Sequence, residues 1–296
     1  MLKPNRLYFL IPMLILGVAC VENQSSNSDT ANADSTNVAD NATNGQLVKY
    51  DGEIFSIPSP VQSAILIKRS NAKYNPDLLN SPSKASTYLT EYQKALNLGV
   101  YGADLAYLSN YGNKQLATDY VKEIEKLSSE LDILKFIDNG IMSRFYNNLG
   151  NQDSLFVLNS EFYSSGDRYL KNSDRNKVAG LIIAGGWIEA LHFSVEVAQT
   201  SADIRNRVGE QGKSLNSLIR LLSSYEDSQI AELSTALADL NAVFSTLKVE
   251  YKYDKPIDDA ANHKTYLKSQ TTVVMTDEQL ALIREKTSKI RTIVIR

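Results

Sequence analysis

The sequence predicts an all-α protein, a multi-helix up-and-down bundle with a short N-terminal β-hairpin and minor β content near residues 249–275. Three observations support this. Apolar residues recur at spacings of three and four in one segment after another, the period of a helix with one buried face. The seven prolines fall mostly before residue 83, leaving the later helical patterns unbroken. The chain has 296 residues, 43% hydrophobic and 22% charged, enough to build one sizeable core.

Leu47 to Ile57 places Asp51-Gly52 between two apolar stretches, a hairpin signal because both residues accept the positive φ of a tight turn. Pro58 and Pro60 close it, and Val61 to Ser70 reads as a first helix. Ser83 to Tyr111 reads as a long helix with a break or kink near Gly99 and Gly102. Asn113 to Leu134 carries Leu116, Tyr120, Ile124, Leu127, Leu131 and Leu134 on one face, and Asn139–Asn148 and Ser154–Lys171 follow. Val178 to Ala198 is apolar nearly all round, as expected of a central buried helix. Ile204, Val208, Gln211, Leu215, Leu218 and Leu222 alternate spacings of four and three. Beyond a turn at Tyr225-Glu226-Asp227, Ile230, Leu233, Leu237, Leu240, Phe244 and Leu247 continue the pattern, predicting an antiparallel helical hairpin. Val249–Tyr253 and Thr271–Met275 lean to β structure. Thr276-Asp277-Glu278-Gln279 is a capping-box pattern opening a last helix with Leu280, Ile283, Ile290 and Val294 in line, interrupted by Thr287.

The N-terminus carries an address. Lys3 and Arg6 precede a 12-residue apolar run, Leu7 to Val18, which ends in Gly17-Val18-Ala19-Cys20. A run this short is a signal-peptide core and not a membrane span, which needs about 20 residues. The chain's only cysteine stands at the expected cleavage point. The segment resembles the signal sequence of bacterial lipoproteins, with Gly17 in place of the usual aliphatic residue three before the cysteine and Leu16 beside it. That resemblance implies a signal peptide over 1–19, acylation of Cys20 (palmitate among its chains) and a membrane partner reached through the lipid anchor, at a periplasmic or outer-membrane face that these residues do not specify. Removal of Lys3 and Arg6 changes the net charge from −3 to 29 − 34 = −5.

Residues 20–46 read as the lipidated cysteine and a disordered tether. Sixteen of the 26 residues from Val21 to Gln46 are Ser, Asn, Asp or Thr, too polar to offset the entropy of ordering. A random coil of that length reaches about 28 Å. Asp29-Thr30-Ala31 and Asp34-Ser35-Thr36 match a bacterial O-glycosylation acceptor pattern, one that so Asp/Ser/Thr-rich a segment produces by chance. Residues 47–296 then form a single helical domain.

Within that domain the polar residues of the apolar helix are ordered. Glu189, His192, Glu196 and Gln199 step by three, four and three, which puts them on one stripe. Three readings fit: the solvent-facing stripe or satisfied polar pair of a buried helix, the lining of a ligand pocket, or half of a dimetal Glu-x-x-His site. The last needs a second such motif, and His263 has Ala260 at that spacing. A shift of 85 residues superposes Asp104, Tyr107 and Tyr111 on Glu189, His192 and Glu196, a possible internal repeat that would turn those three toward the stripe. The candidate pocket is therefore Asp104, Tyr107, Tyr111, Glu189, His192 and Glu196, with no catalytic residue and no metal ligand assigned. The tyrosine pairs Tyr88/Tyr92 and Tyr107/Tyr111 read as amphipathic packing with surface hydroxyls, or as stacking platforms.

Other chemistries fail on residue supply. Thirty-one basic against 34 acidic residues offer no nucleic-acid footprint. One cysteine and two histidines exclude a disulfide framework and a histidine-rich metal site. Gly209-Glu210-Gln211-Gly212-Lys213-Ser214 ends like a phosphate loop, but Arg207 stands where the first glycine belongs and the segment interrupts a helical pattern. Asp258-Asp259 and Glu226-Asp227 sit in expected turns. Arg284, Lys286, Lys289, Arg291 and Arg296 behind Asp277 and Glu278 complement the last helix's dipole and could touch anionic lipid. The expectation is a lipid-anchored envelope protein without a cofactor, a non-catalytic interaction module whose protein or small-molecule partner is not specified. The alternative is an enzyme or metal bundle using Glu189, His192 and Glu196.

Overall fold

The computed structural model describes residues 46–50, 53–134, 140–149, 151–173, 175–225, 227–259, 264–266 and 268–296. The signal segment, Cys20, the tether and its glycosylation patterns, Asp51-Gly52, Glu226 and His263 lie outside them. Among the described residues the protein is a mostly-α bundle with small antiparallel strand pairs.

Strands β1 (Gln46–Tyr50) and β2 (Glu53–Ile57) pair antiparallel, Gln46 opposite Ile57 and Tyr50 opposite Glu53. Helix α1 (Pro60–Arg69) starts where expected because Ser59 accepts from the Val61 amide and Pro60 supplies a preset φ at the first position. The expected helix from Ser83 does not form. Two 3₁₀ turns, Pro76–Leu78 and Pro82–Thr87, cross the bundle surface first. Helix α2 (Glu91–Ser109) begins only at Thr90, whose side chain and that of Gln93 form a reciprocal capping box. That cap satisfies two otherwise orphaned amides, which nothing at Ser83 does.

The remaining helices are α3 (Lys114–Glu130), α4 (Ile141–Asn147), α5 (Gln152–Asn172), α6 (Asn176–Val197), α7 (Ala202–Ser223), α8 (Ser228–Phe244) and α9 (Asp277–Val294). Helix α6 is apolar and long enough to cross a membrane, yet 83% of its most apolar window is buried inside the bundle, so its apolar circumference serves the core. Thr287, the interruption in α9, is 1% exposed and donates to the Ile283 carbonyl at 2.7 Å, so its hydroxyl is satisfied without leaving the helix.

The helix is not broken at Gly99 or Gly102; α2 runs through both. Gly99 serves contact instead, together with Gly185 on α6. A Cβ on Gly99 would sit 2.0 Å from the Ile182 carbonyl oxygen, and one on Gly185 would sit 1.9 Å from that of Leu96. These reciprocal contacts bring α2 and α6 together backbone to backbone. The helices run in the same direction, since Leu96 meets Gly185 while Tyr107, further along, stacks on Phe193 at 4.6 Å. The hairpins α2–α3 and α6–α7 thus lie side by side. Gly99 and Gly185 stand 86 residues apart in the chain, one more than the offset that superposes Asp104 on Glu189.

After α8 the chain leaves the bundle as a ribbon. Strand β3 (Lys248–Lys252) pairs with β6 (Gln270–Val274), and further out β4 (Ile257–Asp259) pairs with β5 (Lys264–Tyr266). All five residues of β3 are exposed.

Candidate functional site

Helix α6 buries the first half of its polar stripe. Glu189 is 0% exposed, and so is Asp104 on α2. Both sit just beyond the glycine crossing, where the two backbones are too close for intervening side chains to separate them. The carboxyls hydrogen-bond to each other. Burial pushes the Asp104 carboxyl well above the ordinary range, and the Glu189 charge pushes it further, against the pull of Arg291. Asp104 accordingly holds the proton and donates it to Glu189. This accounts for Asp104 Oδ2, buried with no conventional partner, while Oδ1 accepts from the Asn80 amide at 3.4 Å.

Glu189 is the ionised member. Burial leaves its carboxyl raised too, but two hydrogen bonds from Arg291 pull against that, so of the pair it is Glu189 that gives up its proton first. Arg291 Nε donates to Oε2 and Nη2 to Oε1, both at 2.7 Å, a bidentate fork. Nη2 also donates to the Leu78 carbonyl at 2.8 Å. Arg291 is 13% exposed at its side chain. The last helix therefore sends a guanidinium into the space beside the pair, and the buried charges sum to zero. Asn80 (1% exposed) and Asn97 (0% exposed) complete the polar cluster. Asn80 Nδ2 donates to Tyr88 Oη at 3.0 Å, and Asn97 Nδ2 to the Val294 carbonyl at 2.9 Å. Tyr120 Oη donates to the Asn80 carbonyl at 2.8 Å and Tyr101 Oη to that of Ser81 at 2.9 Å. Leu78 is thus tied to α9, and the segment between the two 3₁₀ turns to α2 and α3.

His192 is driven down to about 3, first by burial and then by Arg291 and Arg284, so the imidazole is neutral; its Nε2 is buried without a partner. The rest of the expected set goes elsewhere. Glu196 accepts from Arg284 Nε at 2.6 Å near the surface. Tyr107 Oη accepts from the Asn75 amide at 3.1 Å, and Tyr111 Oη donates to the Ala72 carbonyl at 3.0 Å. Tyr74 lies against both rings, with centroids 6.1 and 5.0 Å away, and Lys68 Nζ stands 5.1 Å above Tyr111. Asp104 and Glu189 are therefore brought together, with Arg291 filling the space between α9 and the pair. Tyr107 and Tyr111 form a separate aromatic cluster, and Glu196 a surface ion pair.

Several sequence readings need correction. The stripe is not solvent-facing at Glu189. Tyr88 and Tyr107 are 2% and 1% exposed, so their hydroxyls act inside the protein. Gly209–Ser214 lies within α7, where helical backbone amides are already paired and cannot cradle phosphate. Gly209 instead lets Val273 of β6 approach, and Gly212 does the same for Phe244. Among the last helix's cations, Arg284, Lys289, Arg291 and Arg296 pair with Glu196, Glu285, Glu189 and Glu232. Arg291, Asn80 and Asn97 escaped sequence reasoning; the one available signal was a buried-helix carboxylate in need of a cation.

Two carboxyls sharing a proton are competent for acid–base chemistry only if they reach a reacting atom. Here both are fully enclosed, and the guanidinium occupies both Glu189 oxygens. Among the described residues no cluster of histidine, cysteine, aspartate and glutamate has the form of a metal site.

The surface offers a different feature. The ribbon exposes Val249 (59%), Tyr251 (65%), Tyr253 (69%), Ile257 (47%) and Tyr266 (50%). At its base it forms with α7 and α8 a groove of about 400 Å³, lined by Gly209, Gly212, Phe244, Val249 and Val273. Comparison with protein-family models, with curated proteins and with solved structures returns no match.

Proposed function

We propose that this chain is a lipid-anchored cell-envelope protein whose helical bundle is a rigid platform for a β-ribbon that docks a partner. The observation that carries this reading is the ribbon's apolar row. Val249, Tyr251 and Tyr253 recur at every second residue, the period that puts strand residues on one face, Ile257 follows at the start of the outer strand pair, and each is at least 47% exposed. An apolar row held out in water is costly to keep unless something covers it. Aromatic residues of this kind, amphipathic and stiff, are enriched where proteins meet. Closure of the polar cluster by Arg291 favours a structural role for Asp104 and Glu189 and weighs against an enzyme built on them. The anchor at Cys20 and the tether over 21–46 support a location at the membrane face, with the bundle held off the lipid.

The test is a photoreactive amino acid placed in intact cells at Tyr253 or, as a control, at Lys286 on α9. The reading expects adducts of defined mass from Tyr253 and few from Lys286. Equal yields from both positions, or none from Tyr253, would overturn it. The anchor is read separately, as acyl mass on the Cys20 peptide and loss of membrane association in Cys20→Ala.

A further inference from the structure

The geometry points to a second copy of this chain as the occupant of β3, joined edge to edge with it in an antiparallel four-stranded sheet. This rests on the docking role of the ribbon and goes on to name the partner.

The first observation is which backbone groups are free. In an antiparallel ladder, opposite residues either exchange both hydrogen bonds or neither. Val249 stands opposite Val273, and the Val273 amide donates to Asn206 Oδ1 on α7 at 2.8 Å. That pair is therefore a non-bonded one, so the Val249 amide and carbonyl point away from β6. By alternation those of Tyr251 do too. Strand β6 faces α7 along its outer edge, whereas among the described residues no strand or helix covers the outer edge of β3. An uncovered edge with apolar side chains is a template for strand pairing.

The second observation is charge. Strand β3 and its extension read Lys248-Val249-Glu250-Tyr251-Lys252-Tyr253-Asp254. Antiparallel self-pairing about Tyr251 sets Lys248 opposite Asp254, Glu250 opposite Lys252, Val249 opposite Tyr253 and Tyr251 opposite its own copy. Every charge meets its opposite, twice over by symmetry, and every apolar residue meets an apolar one on the same face. The outward-pointing residues are the ones that would bond. Pairing about Glu250 would oppose Lys248 to Lys252 and Glu250 to itself. Pairing about Lys252 would oppose Glu250 to Asp254. Pairing about Tyr253 would set Glu250 against Pro256, beyond the regular strand, and pairing about Val249 would set Lys252 against Thr246 and Tyr253 against Ser245, the cap of α8. The complementary register has two-fold symmetry, so it closes at a dimer. The Lys248–Glu250 ion pair within the strand is 73% and 52% exposed and opposes this little, because exposed pairs are weak.

Sedimentation equilibrium of the full-length chain in detergent tests the proposal. Wild type is expected to dimerise with rising concentration. Glu250→Lys and Lys252→Glu, each of which turns two attractive cross-strand pairs repulsive, should each weaken the dimer by at least about tenfold. The double variant Glu250→Lys/Lys252→Glu restores opposite charges and should recover the wild-type constant. Under mild oxidation Tyr251→Cys should form a disulfide-linked dimer, because residues at the two-fold centre lie about 5.5 Å apart between Cα atoms. Val249→Cys, which keeps the same Cys20, should not. A chain monomeric at hundreds of micromolar, a dimer indifferent to both single charge reversals, or a double variant no better than the singles would overturn self-pairing. Adducts from Tyr253 at the mass of a different protein would also overturn it while leaving the docking role of the ribbon standing.

Discussion

Arg291→Met removes the guanidinium while keeping an apolar stem of similar length, and its consequence follows from the geometry. Glu189 is fully buried and, beside the bond from Asp104, takes two hydrogen bonds from Arg291, its only cationic partner within hydrogen-bond reach among the described residues. Without them it must remain an uncompensated charge or take up a proton. Breaking a buried pair from one side costs about 3–5 kcal/mol. Holding a proton at pH 7 on a carboxyl whose unfolded value is about 4.3 costs about 3.7 kcal/mol, at about 1.4 kcal/mol per pH unit. The two routes agree, so the variant should lose about 4 kcal/mol at pH 7. The proton route also sets a sign. The variant's Glu189 has its folded value raised above its unfolded one, so the stability it offers is present at low pH and is lost as pH rises. The penalty should therefore shrink to about 1 kcal/mol at pH 5. Urea denaturation followed by the fluorescence of Trp187, the one tryptophan and 2% exposed, reports it directly. A loss below about 1 kcal/mol at pH 7, or one that does not vary with pH, would refute the assignment of Glu189 as the ionised partner of Arg291.

Asp104→Asn keeps a donor toward Glu189 but cannot ionise. Since burial raises the Asp104 carboxyl in the folded state, more than that of Glu189, wild-type stability should decline with rising pH above about 4, and the asparagine variant should show a shallower decline. His192→Gln tests the opposite sign. The imidazole is held down to about 3 against about 6.5 unfolded, so its contribution is present above pH 6.5 and is lost as pH falls toward 3. Acid titration should therefore destabilise wild type more than the glutamine variant, by up to about 1.4 kcal/mol per pH unit. Gly185→Ala forces a Cβ to 1.9 Å from the Leu96 carbonyl oxygen, so α2 and α6 must separate. A cost of about 1–3 kcal/mol and a lower Tm should follow, whereas Gly166→Ala, whose Cβ would meet only an Ile133 methyl at 3.8 Å, should lose far less.

Helix positions were legible where periodicity and caps agreed. Thr276 and Gln279 form the expected box, and Leu215, Leu218, Leu233 and Leu237 are all 0% exposed. The start of α2 was misread because proline and serine at 81–83 suit a 3₁₀ turn as well as a helix, whereas Thr90 with Gln93 pairs two amides at once. The helix-breaking reading of Gly99 failed for a related reason. Glycine lowers helix propensity only modestly, and its missing side chain permits a close crossing whose partner lies more than eighty residues away. The polar stripe was visible on α6, but its charge partner was not. Arg291 near the end of α9 already satisfies a helix dipole, so nothing local demanded that it reach 102 residues back to Glu189. Asn80 and the Leu78 carbonyl enter from an irregular segment that carries no periodic signal. The two strand-leaning pieces, Val249–Tyr253 and Thr271–Met275, were readable from β-branched and aromatic content. Their continuation into β4 and β5 was hidden by Pro256 and the acidic Asp258-Asp259.

Hydrogen exchange at the β3 edge bears most directly on the ribbon as a docking surface. The amides of Val249 and Tyr251 should exchange rapidly in dilute detergent and slow markedly when the full chain sits in its own membrane, where a docked strand accepts them. The Val273 amide, held by Asn206, should behave alike in both. Equal, rapid exchange of Val249 and Tyr251 in both settings would contradict the docking role assigned to the ribbon.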